Sequence, residues 1–138
     1  MTGTYTHSID AKGRLFIPVR LRDELGSEFY VTLSMDDCLS AYSLSSWAKF
    51  EEKSNEKPRD EKTRLRPLFS NAAKCELDSQ GRILIPQHLR DMVGLKKNVT
   101  VVGVGDIAEL WDSELWTEVN AKETTKENIA AVFRELGV

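Results

Sequence analysis

A phrase of nine residues, DAKGRLFIP at residues 10–18, returns as DSQGRILIP at residues 78–86. Matching residues continue past the phrase at the same offset of 68, and then at 69 after one extra residue in the second copy, so that the repeat covers about fifty residues in each copy. Two copies are too few for a solenoid, which needs about three or more repeats. The sequence therefore predicts one domain that is built from two related halves.

The same order of elements is predicted in each half. A strand leads into a tight turn, and an apolar return strand follows it. A proline, Pro18 or Pro86, is placed to end the return strand and open a short helix, and a glycine eight residues later is placed to close that helix. Two further strands follow, and then a helix over residues 44–54 or 112–122.

The rest of the chain is predicted to be helical. Residues 59–69 favour a helix that Pro67 would end or kink. The resulting division is a first repeat over residues 4–50, a connecting helical segment over 51–70, a second repeat over 71–120 and a C-terminal helix over 121–138.

The C-terminal helix carries an apolar stripe. Four large side chains recur at helical spacing within residues 124–136: Ile129, Val132, Phe133 and Leu136. Such a stripe must pack on something, either the body of the chain or a neighbouring subunit.

Charge is distributed unevenly along the chain. The formal net charge is −3, which as a single number argues against binding to nucleic acid. Residues 57–66 nevertheless carry a net +3, and residues 106–138 carry −5. The repeated phrases and the segment between them are mildly basic, so a fold can turn basic and acidic surfaces in different directions.

The composition is typical of a soluble globular protein, with 41% hydrophobic and 30% charged residues. The first residues show no apolar core and no cleavage-like site, which predicts no secretory signal. Cys38 and Cys75 form no CxxC motif and no metal-ligand spacing with His7 or His88. They are predicted to be small buried or half-buried side chains in a reducing cytoplasm.

The repeated turn has residues that suit its geometry. Asp10 and Asp78 occupy a position where a carboxylate can accept from backbone amides. Gly13 and Gly81 stand at the last turn position, where φ is positive and glycine costs least. These four residues are interpreted as shaping the turns.

The arginine after each turn is not required by turn chemistry. Arg14 and Arg82 allow two interpretations: a pair with the aspartate across the turn, or a contact to a phosphate or a base edge. The planar guanidinium suits the second interpretation because it donates bidentately to phosphate or to guanine. Lys12 and Gln80, at the middle of the turns, can also donate to DNA.

Other arginines are given a structural interpretation. Arg20, Arg22 and Arg90 lie on the short helices, where a solvated or ion-paired face is expected rather than a ligand contact. The basic run at residues 57–66 is likewise expected to be a solvated helix face.

Catalysis is not predicted. The chain has no P-loop, no GxGxxG motif after a strand and no HExxH motif. His7 and His88 have no evident nucleophile beside them. The sequence predicts no enzyme activity, no cofactor, no metal and no small-molecule substrate.

Three segments together resemble the MraZ family of bacterial transcriptional regulators, in the AbrB-like group of DNA-binding proteins. They are the opening pattern G-x-Y-x-x-x-x-D-x-K-G-R-x-x-I-P, then LFSNAAKCELDSQGRILIP, and then VGVGDIAELWD. The resemblance covers nearly the whole chain. It implies an α+β, β-rich fold with a pseudo-twofold axis, in which two internal repeats form an AbrB-like swapped-hairpin β-barrel with flanking helices.

The resemblance also implies a function. A ring-shaped homo-oligomer would bind double-stranded promoter DNA at regularly spaced repeats, usually in the promoter of its own cluster of division and cell-wall genes. Arg14 and Arg82 are then the expected DNA contacts, and the protein would be cytoplasmic and nucleoid-associated, away from any membrane. The alternative is an AbrB-like interaction or oligomerisation module that does not read DNA directly.

Overall fold

The computed structural model describes all 138 residues, and each half contains the same series of elements. The first half comprises β1 (Thr4–Ser8), β2 (Arg14–Phe16), α1 (Val19–Leu25), β3 (Glu28–Leu33), β4 (Leu39–Ser43) and α2 (Leu44–Asn55). A connection follows, with α3 (Arg59–Lys62), a 3₁₀ turn (Thr63–Leu65) and α4 (Arg66–Ser70). The second half comprises β5 (Ala73–Glu76), β6 (Arg82–Leu84), α5 (Gln87–Val93), β7 (Asn98–Val104), β8 (Ile107–Asp112) and α6 (Ser113–Glu123), and α7 (Lys126–Leu136) ends the chain.

The strands form two antiparallel sheets that join the halves. Six strands lie in the order β1-β7-β8-β4-β3-β5, and β2 pairs with β6 in a separate two-stranded ribbon, the β2–β6 ribbon. Only the β3–β4 and β7–β8 pairings lie within one half. The β1–β7, β3–β5, β4–β8 and β2–β6 pairings all cross between the halves. Neither half can therefore pair the backbone groups of its strands without the other.

The closed β-barrel that the resemblance implies is not seen. β1 and β5 are the two edges of the six-stranded sheet, and no strand bridges them. The strands β2 and β6 have only three residues each, and they pair with each other rather than with the edges. The architecture is therefore a mixed α and β fold with one open antiparallel sheet, a short ribbon and several helices.

The hydrophobic core lies between the ribbon and the sheet. The central residues of the ribbon strands, Leu15 and Ile83, are buried, and they share one apolar cluster with Val31, Val99 and Val101 of the sheet. The helices α1 and α5 contribute their buried residues to the same cluster: Leu21, Leu25, Leu89 and Val93. Full burial of each such side chain contributes about 1.5–3 kcal/mol relative to exposure. The core therefore fixes which face of the ribbon points outward.

The helices that follow each half dock through aromatic side chains. In α2, the Trp47 ring stacks on Tyr30 with 4.7 Å between centroids, and in α6 the Trp116 ring lies 5.6 Å from Trp111. Ser43 caps α2 by accepting from the Ser46 amide at 3.2 Å. The helices predicted over residues 44–54 and 112–122 are thus confirmed, each within one residue at either end.

The connecting segment differs from the expected single helix. The α-helix stops at Lys62, and the chain passes through the 3₁₀ turn before α4 begins at Arg66. Pro67 lies in the first turn of α4, where its missing N–H is not needed. The proline therefore begins a helix here rather than ending one.

The C-terminal helix α7 stands away from the core. Thr125 caps it by accepting from the Asn128 amide at 3.2 Å, and none of its residues is buried. Its four large apolar residues, the α7 stripe, are 47–70% exposed: Ile129, Val132, Phe133 and Leu136. The stripe does not pack on the body of the chain, which leaves it available to a partner.

The two cysteines are buried and unpaired, as the sequence predicts. Burial raises the pKa of the Cys38 thiol to about 12 and that of Cys75 to about 11. Both are therefore neutral and unreactive at physiological pH. None of the helices combines the length and the apolar character needed to cross a bilayer.

Candidate nucleic-acid interface

The first repeated turn is built on the side chain of Asp10. Its Oδ1 accepts from the backbone amides of Lys12 at 3.0 Å and Arg14 at 2.9 Å. The Gly13 amide donates to the Asp10 carbonyl at 3.0 Å, and Gly13 has φ of 88°. A side chain at that φ would be strained, so the turn requires glycine there. The side chain of Lys12 is exposed at the tip.

The second turn repeats this geometry. Oδ1 of Asp78 accepts from the amides of Gln80 and Arg82, both at 2.9 Å. The Gly81 amide donates to the Asp78 carbonyl at 3.0 Å, with φ of 76° at Gly81. Gln80 is exposed, in the position that Lys12 has in the first turn. The aspartate and the glycine therefore make the same hydrogen bonds in both turns.

Each aspartate also holds the arginine that follows its turn. Arg14 Nε donates to Asp10 Oδ2 at 2.6 Å, and Arg82 Nε donates to Asp78 Oδ2 at 2.9 Å. The Asp–Arg pair across the turn is thus present, yet the two arginine side chains remain 35% and 27% exposed. These bonds occupy Nε. Nη1 of Arg82 also lies 3.9 Å from Asp10 Oδ2 of the other turn, which is an ion-pair distance but too long for a hydrogen bond. The two interpretations of the arginines are compatible with each other.

The aspartates are ionised at neutral pH. The pKa of Asp10 is lowered mainly because its carboxylate accepts from the backbone N–H of Arg14, and the pKa of Asp78 is lowered mainly by the N–H of Arg82. A carboxylate that stays charged keeps the guanidinium beside it in a fixed orientation. Less rotamer freedom is then lost when that guanidinium binds a ligand.

The β2–β6 ribbon places both arginines on one face. Arg14 lies directly opposite Leu84, and Phe16 lies directly opposite Arg82. Because side chains alternate along a strand, these four residues share the outer face, and the buried central residues share the inner one. The ribbon thus presents two guanidinium groups related by an approximate twofold axis.

Each turn is also tied to the other half of the chain. The Ile17 amide donates to the Gly81 carbonyl, and the Ile85 amide donates to the Gly13 carbonyl, both at 2.9 Å. The position of one turn therefore depends on the strand that follows the other turn. A change that moves one half is expected to misplace both arginines.

Arg22 does not belong to a solvated or ion-paired face, contrary to the expectation from sequence. Its Nε donates to the Ile17 carbonyl at 2.7 Å, and its guanidinium packs against Gly81 of the other turn. It also lies over the Phe16 ring, 4.5 Å from the centroid. A Cβ at Gly81 would overlap this guanidinium.

Arg90 repeats the arrangement in the second half, so the same correction applies. Its Nε donates to the Ile85 carbonyl at 3.0 Å, and its guanidinium would lie 2.7 Å from a Cβ at Gly13. Arg20, by contrast, is exposed as expected. Each turn is therefore supported from beneath by an arginine of the opposite half, a role that we assign to positioning.

Replacement of a turn glycine tests this support. We expect Gly81→Ala to lower the free energy of unfolding by about 2 kcal/mol more than Gly94→Ala, because displaced Arg22 loses a hydrogen bond of a charged donor. Gly94 is a matched control: it has φ of 67°, close to the 76° of Gly81, but nothing lies within 4 Å of an added Cβ. Urea unfolding measures the free energy of unfolding of the two variants and of the wild type. Equal losses would show that Arg22 does not constrain the turn.

The structure offers no cluster of three or more His, Cys, Asp or Glu side chains that could hold a metal ion. The chemistry available at the ribbon face is instead hydrogen-bond donation by cationic and amide groups. Such groups recognise oxygen-rich anions and base edges.

Comparison with known proteins finds one family, both among family models and among individual relatives. The family described as "MraZ protein, putative antitoxin-like" matches residues 1–66 and again residues 68–136. Proteins named transcriptional regulator MraZ are similar over nearly their full length. The one from Caldicellulosiruptor saccharolyticus is 43% identical over 100% of this chain and 99% of its own, and the one from Carboxydothermus hydrogenoformans is 45% identical over 93% and 92%. The family model matches nearly all of the sequence, and the chain belongs to the MraZ family.

Proposed function

We propose that this protein is a sequence-specific DNA-binding transcriptional regulator that acts on promoter repeats. The observation that carries this proposal is the pair of partly exposed arginines on the outer face of the ribbon, each held at Nε by its turn aspartate. Nη1 of Arg82 is also within ion-pair distance of Asp10, but none of the Nη groups of these two arginines makes a hydrogen bond within the chain, so they can donate to DNA. The relatives at 43–45% identity bear the name of transcriptional regulators rather than of enzymes, which supports the same general role.

The proposed contacts divide into positioning and reading. Lys12 and Gln80, exposed at the turn tips, are suited to phosphate oxygens, which set the register of the protein on the duplex. The Nη groups of Arg14 and Arg82 are suited to guanine O6 and N7. Each bidentate pair of an arginine with a guanine contributes about 1–3 kcal/mol of discrimination between bases.

Self-association is part of the proposal. A chain with a net charge of −3 and two small basic turns should bind DNA weakly by itself. The exposed α7 stripe fits a second copy of the chain, because four adjacent large apolar side chains at 47–70% exposure form a typical interface core. A ring of copies would present the turns at fixed spacing, and each contact would raise the effective concentration of the next.

The proposed target is the promoter of the protein's own cluster of division and cell-wall genes, as the family resemblance implies. Regular repeats in that promoter would match the regular spacing of turns in a ring. The pairing of strands between the halves supports descent from an AbrB-like swapped-hairpin unit, with both turns now carried by one chain.

A second candidate function is an AbrB-like interaction module without direct DNA readout. The α7 stripe favours it, since an exposed apolar helix face can also bind a different protein. On that view the turn arginines would be structural, and promoter DNA would bind no better than unrelated DNA.

The salt dependence of binding separates the two functions. We expect purified protein, without added metal or cofactor, to bind a labelled duplex from upstream of its own gene. Affinity should fall at least about a hundredfold between 50 and 200 mM salt, which corresponds to about four phosphate contacts in the bound assembly. Fluorescence anisotropy measures this directly. A flat salt response, or equal affinity for a scrambled duplex, argues for the interaction module.

A further inference from the structure

The outer face of the ribbon is not symmetric. Phe16 and Leu84 occupy matching positions of the two repeats, at the offset of 68. Phe16 is half-buried, but Leu84 is 58% exposed. A large aliphatic side chain is thus open to solvent between two cationic groups, on the face that carries the proposed DNA contacts.

The two positions differ because their neighbours differ. The His7 ring packs edge-on against Phe16, with 4.9 Å between centroids, and the Arg22 guanidinium lies over the Phe16 ring, 4.5 Å from its centroid. In the second half the position that matches His7 is occupied by Cys75, a small side chain that is itself buried. The second half therefore has no histidine ring at this position to cover Leu84.

The register places Leu84 beside a proposed reading group. It lies directly opposite Arg14 across the ribbon, a position at which Cβ atoms are about 4.5–5.5 Å apart. Successive base pairs are about 3.4 Å apart along a duplex. A ligand that engages the Nη groups of Arg14 therefore brings its next base pair within reach of Leu84.

Only one group on a base edge is apolar and can pack favourably against an aliphatic side chain. The C5-methyl of thymine is exposed in the major groove, and apolar side chains in DNA-binding proteins pack against it. The minor groove offers no equivalent group. An exposed leucine beside an arginine therefore favours a thymine next to a guanine, approached from the major groove.

We propose that Leu84 contacts the C5-methyl group of a thymine beside the guanine bound by Arg14, and that it helps to choose the site. This inference rests on the proposed function, and it adds a groove and a specificity-determining residue to it. Only the second turn carries this contact. The two halves of one chain therefore read different bases.

A methyl-deletion scan tests the contact. Each thymine of the promoter fragment is replaced in turn by deoxyuridine, which removes the C5-methyl and leaves every hydrogen-bonding group. Wild-type protein should lose about fourfold in affinity at one thymine of each repeat, the effect expected for one methyl group withdrawn from an apolar contact. The Leu84→Ala variant should bind thymine and uracil at that position equally.

Two controls keep the result interpretable. Met92→Ala removes another exposed apolar side chain, 55% exposed on α5, and should retain the wild-type response to uracil. Leu84→Met keeps an apolar side chain at this position, so this variant should retain most of the wild-type response to uracil. Since Leu84 is on the surface, its replacement should leave the melting temperature nearly unchanged, which thermal unfolding verifies.

The outcomes distinguish the possible failures. A flat uracil scan, with binding still lost in an Arg14→Ala/Arg82→Ala variant, overturns the leucine contact and leaves the proposed function standing. The same conclusion follows if Leu84→Ala keeps the wild-type uracil response. If Leu84→Ala instead reduces the size of the oligomer, the leucine is a subunit contact and the proposal is wrong. Absence of any specific binding by the wild type overturns both.

Discussion

The Arg14→Ala/Arg82→Ala variant is expected to lose at least about a hundredfold in affinity for promoter repeats while it keeps its fold and its oligomeric state. Two bidentate contacts of about 1–3 kcal/mol each are removed from every subunit, and 1.4 kcal/mol corresponds to a factor of ten. Stability should change little, because each arginine is half-exposed and pairs mainly with its turn aspartate. Anisotropy titration measures the affinity, and analytical ultracentrifugation measures the oligomer.

Arg20→Ala is the matched control for this variant. Arg20 is an exposed arginine at the start of α1, close in sequence to the first turn but without a hydrogen bond to it. Its removal should change the affinity by less than about twofold. If the double variant binds as tightly as the wild type, the DNA contacts lie elsewhere, and the basic residues of segment 57–66 become the next candidates.

The second large effect is expected at the α7 stripe. Val132→Asp/Phe133→Asp should dissociate the assembly and lower the affinity for repeated sites by at least about a hundredfold, because linked binding adds a factor of roughly 10²–10⁴. Both side chains are more than half exposed in the chain, at 52% and 54%, so the fold of the monomer should persist. Size-exclusion chromatography with light scattering measures the assembly.

Arg134→Asp controls for charge in this experiment. It changes the net charge by −2, as the stripe variant does, but Arg134 lies outside the stripe on the same helix. The control should assemble and bind as the wild type does. A stripe variant that retains the wild-type mass would show that α7 is not the surface through which copies associate.

The turns were predictable because their determinants are local. Asp10 and Gly13 act on residues within four positions, so the spacing of the phrase alone implies the hydrogen bonds that the structure shows. The short helices after Pro18 and Pro86, and the helices at Leu44–Asn55 and Ser113–Glu123, follow from equally local signals.

Contacts between the halves were not predictable in the same way. Arg22 and Arg90 lie on helices beside acidic neighbours, which favours an ion-paired face when only sequence distance is considered. Each instead reaches the glycine of the other turn, about sixty to eighty positions away in the chain. The sequence did contain one indication of these contacts. The two arginines are 68 positions apart, as are the two glycines that they support.

Whether the sheet closes into a barrel also could not be predicted from the sequence. The run of apolar residues predicts that β2 and β6 are largely buried, but it does not say whether three-residue strands pair with each other or with the sheet edges. The pairing decides between a closed barrel and the open sheet that is observed. Pro67 shows the same limit, since a proline that breaks one helix is equally suited to begin another.

Footprinting on the DNA upstream of the protein's own gene, with wild type and the Arg14→Ala/Arg82→Ala variant side by side, tests the central claim most directly. The two turn arginines are proposed to contact DNA at evenly spaced sites. The wild type should therefore protect a regular series of short sequences, and the variant should protect none at the same concentration. Equal protection by both proteins would contradict the account.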